Sequence, residues 1–353
     1  MTLRIGIAND SIMAAESLRR VVESEDRYQL AWIAADGQEA LDRCRTDCPD
    51  LVLMDLIMPG MDGVAATRTI SAEFECAILV VTASIDSHAG KVFEAMGAGA
   101  LDAVNTPILG ETGHAEGRDN LIRKIDTIAT LLRGAPYLRG IPDIATMHDK
   151  SGAVTPVIAI GASTGGPSAL REILCDMPPD LGVAIAIVQH VDQQFAASFT
   201  SWLNDQTALL VRTAEPGDRL EANTVLVCGR EDHLIMTRSG TLNYRAEPKN
   251  LAYRPSVDVF FDSLAQYHTF QSVGVLLTGM GRDGAAGLKA LRDRAWLTLA
   301  QDQQTCAVYG MPKAAKELDA AQEILPLEEI GQRLIRWASS TSTGTYKQLQ
   351  NGN

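Results

Sequence analysis

The chain alternates short β-branched runs with segments of helical period, and it does so twice, with a break between. In the first half the runs are Leu3 to Ala8, Gln29 to Ala34, Leu51 to Met54, Ala77 to Val81 and Ala100 to Val104. Strands separated by helices cannot pair as hairpins, so five of them predict an open parallel sheet. In such a sheet ligands sit beyond the carboxyl ends of the strands. Those ends carry Asn9 and Asp10, then Asp55, then Thr82, then Thr106-Pro107.

From Gly134 to Thr155 the pattern dissolves into Gly, Pro, Asp, Ser and Lys, which reads as a linker. The alternation resumes at Pro156 to Gly161 and continues with Val183 to Gln189, Leu209 to Thr213, Thr224 to Cys228, Val273 to Gly279 and Leu297 to Gln301. Helices are predicted over Ser168 to Cys175, Phe195 to Asn204, Val257 to Tyr267 and Gly284 to Arg294. His233 to Tyr244, centred on Arg238-Ser239-Gly240-Thr241, reads as an antiparallel hairpin set into a doubly wound α/β scheme. The division expected is 1–130, a linker 131–153, a second domain 154–340 and a flexible polar tail 341–353.

A length of 353 residues suits two domains. A net charge of −13 repels nucleic acid and anionic membrane, so protein or small-molecule partners are expected. The six cysteines, Cys44, Cys48, Cys76, Cys175, Cys228 and Cys306, form no C-x-x-C pair and suit reduced thiols in the cytosol. Met1 to Ile7 lacks the flank, apolar core and cleavage site of a signal peptide, and the apolar runs are far shorter than a membrane span. A cytoplasmic protein without membrane insertion is the expectation.

In the first half, acids converging at strand ends would offer oxygen ligands to a hard cation such as Mg²⁺, with Asp10 and Asp55 as the carboxylates. Asp55, at the tip of an apolar strand, is the natural phosphoryl acceptor, and Thr82 could donate its hydroxyl to the phosphoryl oxygens. Any one such acid is more often a helix cap; the ordered set is what points to chemistry. Asn9-Asp10-Ser11, the run Leu53-Met54-Asp55-Leu56-Ile57-Met58-Pro59-Gly60-Met61-Asp62-Gly63 and Val81-Thr82-Ala83 resemble a response-regulator receiver domain, which implies a flavodoxin-like fold. Three positions depart from that pattern. Receivers carry a second acid where this chain has Asn9, a lysine where it has Thr106, and often an aromatic where it has Ala103. The first two weaken the hold on Mg²⁺ and remove the cation that pairs with the phosphoryl group.

In the second half, Gly161-Ala162-Ser163-Thr164-Gly165-Gly166-Pro167 follows a strand and opens a helix, so Ser163 sits near unpaired helix N–H groups. A serine there is more often an N-cap than a nucleophile. Two features shift the balance. His190 ends the next strand, where a neutral imidazole could act as general base, a factor of roughly 10² to 10⁴. Thr278-Gly279-Met280-Gly281-Arg282-Asp283-Gly284 places Asp283 at a helix start, where it could fix the His190 tautomer or simply cap the helix. The Met280 N–H is a candidate oxyanion donor, worth roughly 10² to 10³ in rate. His233, in the hairpin, reads as structural or peripheral. The order Ser163, His190, Asp283 differs from the Ser, acid, His order of α/β-hydrolases, and Ser163 stands where a dinucleotide fingerprint needs glycine.

These three segments resemble the catalytic domain of CheB, the chemotaxis protein-glutamate methylesterase, and the order receiver then esterase covers nearly the whole chain. Ile7-Ala8-Asn9-Asp10 and Val104-Asn105-Thr106-Pro107 look more like the WspF branch of that family. The resemblance implies a serine hydrolase that needs no cofactor for hydrolysis, with Mg²⁺ serving phosphorylation of the receiver. It implies a methyl-accepting chemoreceptor-type protein as substrate, with glutamine deamidation by the same steps, and a CheA-like histidine kinase as phosphodonor. It also implies that the receiver covers the catalytic cleft until phosphorylation shifts the population. The rival from another class is a non-catalytic adaptor that only docks on receptors; the trio Ser163, His190 and Asp283 argues against it.

Overall fold

The structure, a computed structural model, describes residues 2–84, 88–107, 114–132, 155–249, 251 and 253–350. The chain divides into two compact units, Met1–Ala135 and Pro136–Asn353. The segment read as a linker lies, from residue 133 onward, outside the described residues. Among the described residues no helix is long and apolar enough to cross a membrane.

The first unit runs β1 (Leu3–Ala8), α1 (Ile12–Glu23), β2 (Tyr28–Ala34), α2 (Gly37–Thr46), β3 (Leu51–Asp55), α3 (Gly63–Glu73), β4 (Ala77–Thr82), α4 (Ala89–Gly97), β5 (Asp102–Asn105) and α5 (His114–Leu132). All strand pairs are parallel, in the order β2-β1-β3-β4-β5. Leu51 to Met54 of β3 and all of β4 are buried, because helices cover both faces of such a sheet. Side chains start three of the helices: Ser11, Asp36 and Asp62 each accept the N–H three residues on. β5 begins two residues later than its sequence predicts. The Ala100 N–H still bonds back to the Ala95 carbonyl (3.0 Å), so Ala100 belongs to the turn that ends α4.

The second unit runs β6 (Val157–Ala162), α6 (Gly166–Cys175), β7 (Ala184–Gln189), α7 (Gln193–Asn204), β8 (Leu210–Thr213), β9 (Thr224–Val227), β10 (His233–Met236), β11 (Leu242–Arg245), α8 (Val257–Tyr267), β12 (Val273–Leu276), α9 (Ala285–Asp293), β13 (Leu297–Gln301), α10 (Met311–Glu317), β14 (Glu323–Leu325) and α11 (Leu327–Gln350). Its main sheet is seven-stranded and parallel, in the order β14-β13-β12-β6-β7-β9-β8. The chain leaves β6 toward β7 on one side and returns on the other through β12, so the order reverses between β6 and β12. That switch point is where an open α/β sheet leaves a crevice. Ser163 follows β6 and Thr278 to Met280 follow β12, so both segments border it.

β10 and β11 form the antiparallel hairpin, closed by the Thr237 to Thr241 turn with Gly240 at φ +74°. Three readings of the sequence change. β14 carries no periodic signal because it is three residues long and pairs only with β13. β12 stops at Leu276, short of the predicted Gly279: the Thr278 N–H turns to the Gln301 side chain and the Gly279 N–H to the Val308 carbonyl. Helix α11 runs to Gln350, through residues read as a flexible tail. At its described polar positions Ser339, Ser340 and Thr341 return their hydroxyls to carbonyls one turn back, so these poor helix formers keep their polar groups paired within the helix.

Burial of two histidines in this unit gives it a distinct acid response. Burial lowers His268 to about 4 and also lowers His233, so both stay neutral in the fold. Their depressed values mean that the unfolded chain takes up protons first, so their contribution is whole above the ordinary histidine pKa and is lost as pH falls from about 6.5 toward 4. For His268 this amounts to about 3 kcal/mol. Urea unfolding of the full chain, followed by Trp fluorescence, is expected to show this loss between pH 7 and 4. His268→Gln should flatten that slope; an unchanged slope would contradict the assignment.

Candidate active site

The carboxyl edge of the second sheet is assembled from backbone register. Ala162 pairs with Gln189, so Ser163 and His190 leave adjacent strands side by side, and the His190 N–H bonds to the Ala162 carbonyl (3.0 Å). On the other side the Ser163 N–H bonds to the Thr278 carbonyl (3.1 Å). Gly279 lies so close that a Cβ there would stand 2.7 Å from the Ser163 Cβ. Ser163 is buried at 7% exposure, at the start of a turn into α6. That helix begins at Gly165 (φ +78°) and α9 at Gly284 (φ +87°), neither with a side-chain cap. The N–H groups at the start of α6 are therefore not consumed by a capping side chain next to Ser163.

Asp283 is fully buried and its carboxylate accepts four hydrogen bonds. His190 Nε2 (2.8 Å) and the Val257 N–H (2.7 Å) reach Oδ2; Ser256 Oγ (2.7 Å) and the Asp258 N–H (3.1 Å) reach Oδ1. The sequence places this residue at the start of its own helix, α9. Its carboxylate in fact lies at the N-terminus of α8, whose N–H groups and dipole favour an anion. Burial by itself would push the Asp283 carboxyl up; the His190 hydrogen bond and charge, with Ser256 and Val257, hold it below the ordinary carboxylate range.

An ionised carboxylate only accepts, so Nε2 of His190 carries the proton and Nδ1 carries the lone pair. Nδ1 is buried and has no hydrogen-bond partner among the described residues. This reverses the usual triad, in which the acid holds Nδ1 and the base is Nε2. Tyr253 lies flat on the His190 ring, with centroids 4.3 Å apart and planes 5° apart.

The backbone around Met280 is also fixed. The Gly279 carbonyl accepts from the N–H groups of Gly310 (3.1 Å) and Met311 (2.8 Å). In a trans-planar peptide the Met280 N–H points the opposite way. It makes no hydrogen bond among the described residues. Thr278 braces the same loop, its hydroxyl accepting from the Val308 N–H (2.9 Å) and donating to the Thr164 carbonyl (2.9 Å).

Gln189 is a residue the sequence reading left without a role. Its buried side-chain amide donates to the carbonyls of Ser163 (2.9 Å) and His190 (3.1 Å), tying the two segments together. A polar residue closing the otherwise apolar strand β7 was the available signal, since a buried amide must find partners. Tyr253 had no such signal. His233 is buried, accepts the Ser256 N–H at Nδ1 (3.0 Å) and donates from Nε2 to the Pro248 carbonyl (3.1 Å); it is structural and one bond from the residue that holds Asp283.

The first unit gathers its expected residues at its own carboxyl edge. Asp55 ends β3 and Thr82 ends β4, and the Thr106 N–H bonds to the Thr82 carbonyl (2.8 Å). Asn9 is buried, and its Oδ1 is engaged by the Ser11 N–H (2.9 Å). Asp10 is exposed. Burial, and then the charge of Asp10, raise Asp55 against the pull of the Leu56 and Ile57 N–H groups. Two carboxylates that oppose each other's ionisation fit Mg²⁺, which needs one or two and keeps waters for the rest. Among the described residues no group of three or more acids, histidines or cysteines forms a metal cluster. The unit's two lysines are paired elsewhere, Lys91 with Asp62 (3.4 Å) and Lys124 with Asp102 (2.6 Å), so neither replaces the cation absent at Thr106.

A parallel α/β sheet with Ser, His and Asp on adjoining loops, preceded by a receiver-like sheet, defines a receiver-linked serine hydrolase. The CheB methylesterase profile matches residues 158–334 and the response regulator receiver domain profile residues 5–115. Relatives include the Pseudomonas aeruginosa protein-glutamate methylesterase/protein-glutamine glutaminase 3, 49% identical over 94% of this chain and 98% of its own length. The Mesorhizobium japonicum protein of the same name, without the numeral, is 51% identical over 94% and 98%. The Thermotoga maritima CheB methylesterase catalytic domain superposes with a TM-score of 0.50, at 31% identity, covering 52% of this chain and all of that one. The chain belongs to the CheB methylesterase family.

The Gln189 brace gives a direct expectation. Gln189→Leu keeps the volume but takes the amide donor from the His190 carbonyl and leaves the Ser163 carbonyl only its Gly166 N–H (2.8 Å), which should cost about 1–3 kcal/mol of stability. Esterase activity should fall with it while the receiver unit stays folded. Wild-type stability in urea would show that the brace carries nothing.

Proposed function

We propose that Ser163, His190 and Asp283 act as nucleophile, general base and orienting acid in a protein-glutamate methylesterase that is also a protein-glutamine glutaminase. The observation that carries this is the hydrogen-bonded His190–Asp283 pair, with Nδ1 of His190 unpartnered among the described residues at the edge where Ser163 emerges. Nδ1 takes the Ser163 proton as Oγ attacks the γ-carbonyl of a glutamate methyl ester. The Met280 N–H receives the developing oxyanion. Collapse of the intermediate expels methanol, protonated by His190; a glutamine expels ammonia in the same way. Water, deprotonated at Nδ1, then hydrolyses the acyl-enzyme and restores Ser163. Throughout, Asp283 keeps Nε2 protonated and stabilises the imidazolium.

The substrate is a methyl-accepting chemoreceptor-type protein and the output is adaptation of a chemotaxis-type pathway, with a CheA-like histidine kinase as phosphodonor. Asp55 is the phosphoacceptor. Asp10 and Asp55 would hold Mg²⁺, which would screen the charge of the incoming phosphoryl group, and Thr82 would bond its oxygens. Asn9 and Thr106 support placement in the WspF-like branch. Six free thiols suit a reducing cytoplasm. The functional division follows as 1–130 for the receiver, 131–153 for the linker and 154–340 for the esterase.

The test is methanol release from a methylated receptor cytoplasmic fragment. Ser163→Ala should lower release by about 10³-fold or more. A phosphodonor with Mg²⁺ should raise release by the wild type and leave Asp55→Asn unchanged. Release that survives in Ser163→Ala would overturn the assignment of the nucleophile. Separately, intact mass after incubation with the phosphodonor should show a hydroxylamine-labile adduct that is lost in Asp55→Asn and sharply reduced in Asp10→Asn. Equal adduct in all three would remove both residues from the phosphorylation site.

A further inference from the structure

Tyr253 touches both working parts of the site without belonging to either. Its ring is stacked on His190, and its hydroxyl donates to the Met280 carbonyl (3.3 Å). Gly281, at φ +85°, lets the phenol come this close: a Cβ there would stand 2.6 Å from the tyrosine oxygen. Burial, and then the charge of Asp283, raise the Tyr253 hydroxyl, which keeps it a neutral donor.

We propose that Tyr253 is a positioning residue that holds the plane of the general base and locks the backbone that presents the oxyanion donor. The proposal rests on the roles given above to Ser163, His190 and Met280.

The physical need is clear from what else holds these groups. Among the described residues His190 has a single side-chain hydrogen bond, Nε2 to Asp283, and a ring held at one corner can still tilt about that bond. A parallel ring at 4.3 Å opposes that tilt and so holds the direction of the Nδ1 lone pair. The same ring presents a π-face to the imidazolium that forms once Nδ1 has taken the proton, well within the roughly 6 Å reach of a cation–π contact.

At Met280 two peptides meet. The one before it is held through the Gly279 carbonyl by Gly310 and Met311, and the one after it through the Met280 carbonyl by Tyr253. With both planes fixed, the Met280 backbone cannot rotate its N–H out of the cleft. Removing the phenol hydroxyl frees the second plane alone; removing the ring frees the base as well.

The experiment uses the full chain and two readouts. One is the rate of Ser163 labelling by a fluorophosphonate, which needs no receptor; the other is kcat and KM for methanol release from a methylated receptor fragment. Tyr253→Phe keeps the ring and loses the hydrogen bond, and should slow labelling by about 2- to 10-fold. Tyr253→Leu loses both and should slow it by about 30- to 100-fold. The losses should appear in kcat, with KM within about twofold, because the contacts act on the base and the oxyanion loop rather than on bound substrate. Near-UV circular dichroism checks that each variant is folded at the assay temperature.

Wild-type labelling rates in both variants would overturn the proposal, as would a loss carried by KM. Tyr253→Phe as slow as Tyr253→Leu would also overturn it, since the ring would then contribute nothing. Labelling that persists in Ser163→Ala would instead show that the nucleophile was misassigned, and that failure is separate from these.

Discussion

The catalytic edge depends on one buried carboxylate. Asp283 lies in the interior, where an unpaired charge would cost several kcal/mol, and it is stabilised only because four donors converge on it. Two of those donors are backbone N–H groups at the start of α8, so the carboxylate satisfies a helix terminus while the helix dipole stabilises its charge. A third, Ser256, caps the same helix and receives the backing of His233 from the hairpin. The fourth is His190. One side chain thus joins the β12–α9 turn, α8, the hairpin and the end of β7, and it also sets the tautomer of His190.

That arrangement explains why the lone pair of His190 is on Nδ1. The carboxylate approaches His190 from the Nε2 side, because Asp283 is anchored at α8. Nδ1 is therefore the nitrogen left without a partner among the described residues. Ser163, His190 and Asp283 follow three neighbouring strands across the switch point, and Gln189, Thr278 and Tyr253 brace the loops between them. Most of these braces are hydrogen bonds between buried groups, which hold direction as well as distance.

The receiver unit follows the same topological rule with weaker electrostatics. Its carboxyl edge also gathers polar side chains from successive strands, but Asn9 is turned inward to Ser11, and Thr106 brings no cation. What remains is a pair of carboxylates, Asp10 and Asp55, of which the half-buried Asp55 is raised above the ordinary carboxylate range. One architecture therefore carries two arrangements: a histidine held by a buried, ionised carboxylate in the second unit and a pair of mutually opposing carboxylates in the first.

Strand runs and their order could be read along the chain because parallel strands buried on both faces leave long β-branched signatures, and because the residue after each strand must emerge at the carboxyl edge. Ser163, His190 and Asp55 were legible for that reason. The three residues of β14 pair with one neighbour and leave no pattern, so they were not. Asp283 was legible as an acid at a helix start, yet which helix it would serve was decided by the packing of α8 against α9. Tyr253 comes from a loop between hairpin and helix, where no periodicity constrains a side chain, and only the folded chain lays it on His190. The sequence determined the sheets, the edge and the types of reacting group, since these follow from local pattern. The direction of the His190 lone pair and the clamp on Met280 arise from contacts between residues far apart in the chain, and those belong to the tertiary structure alone.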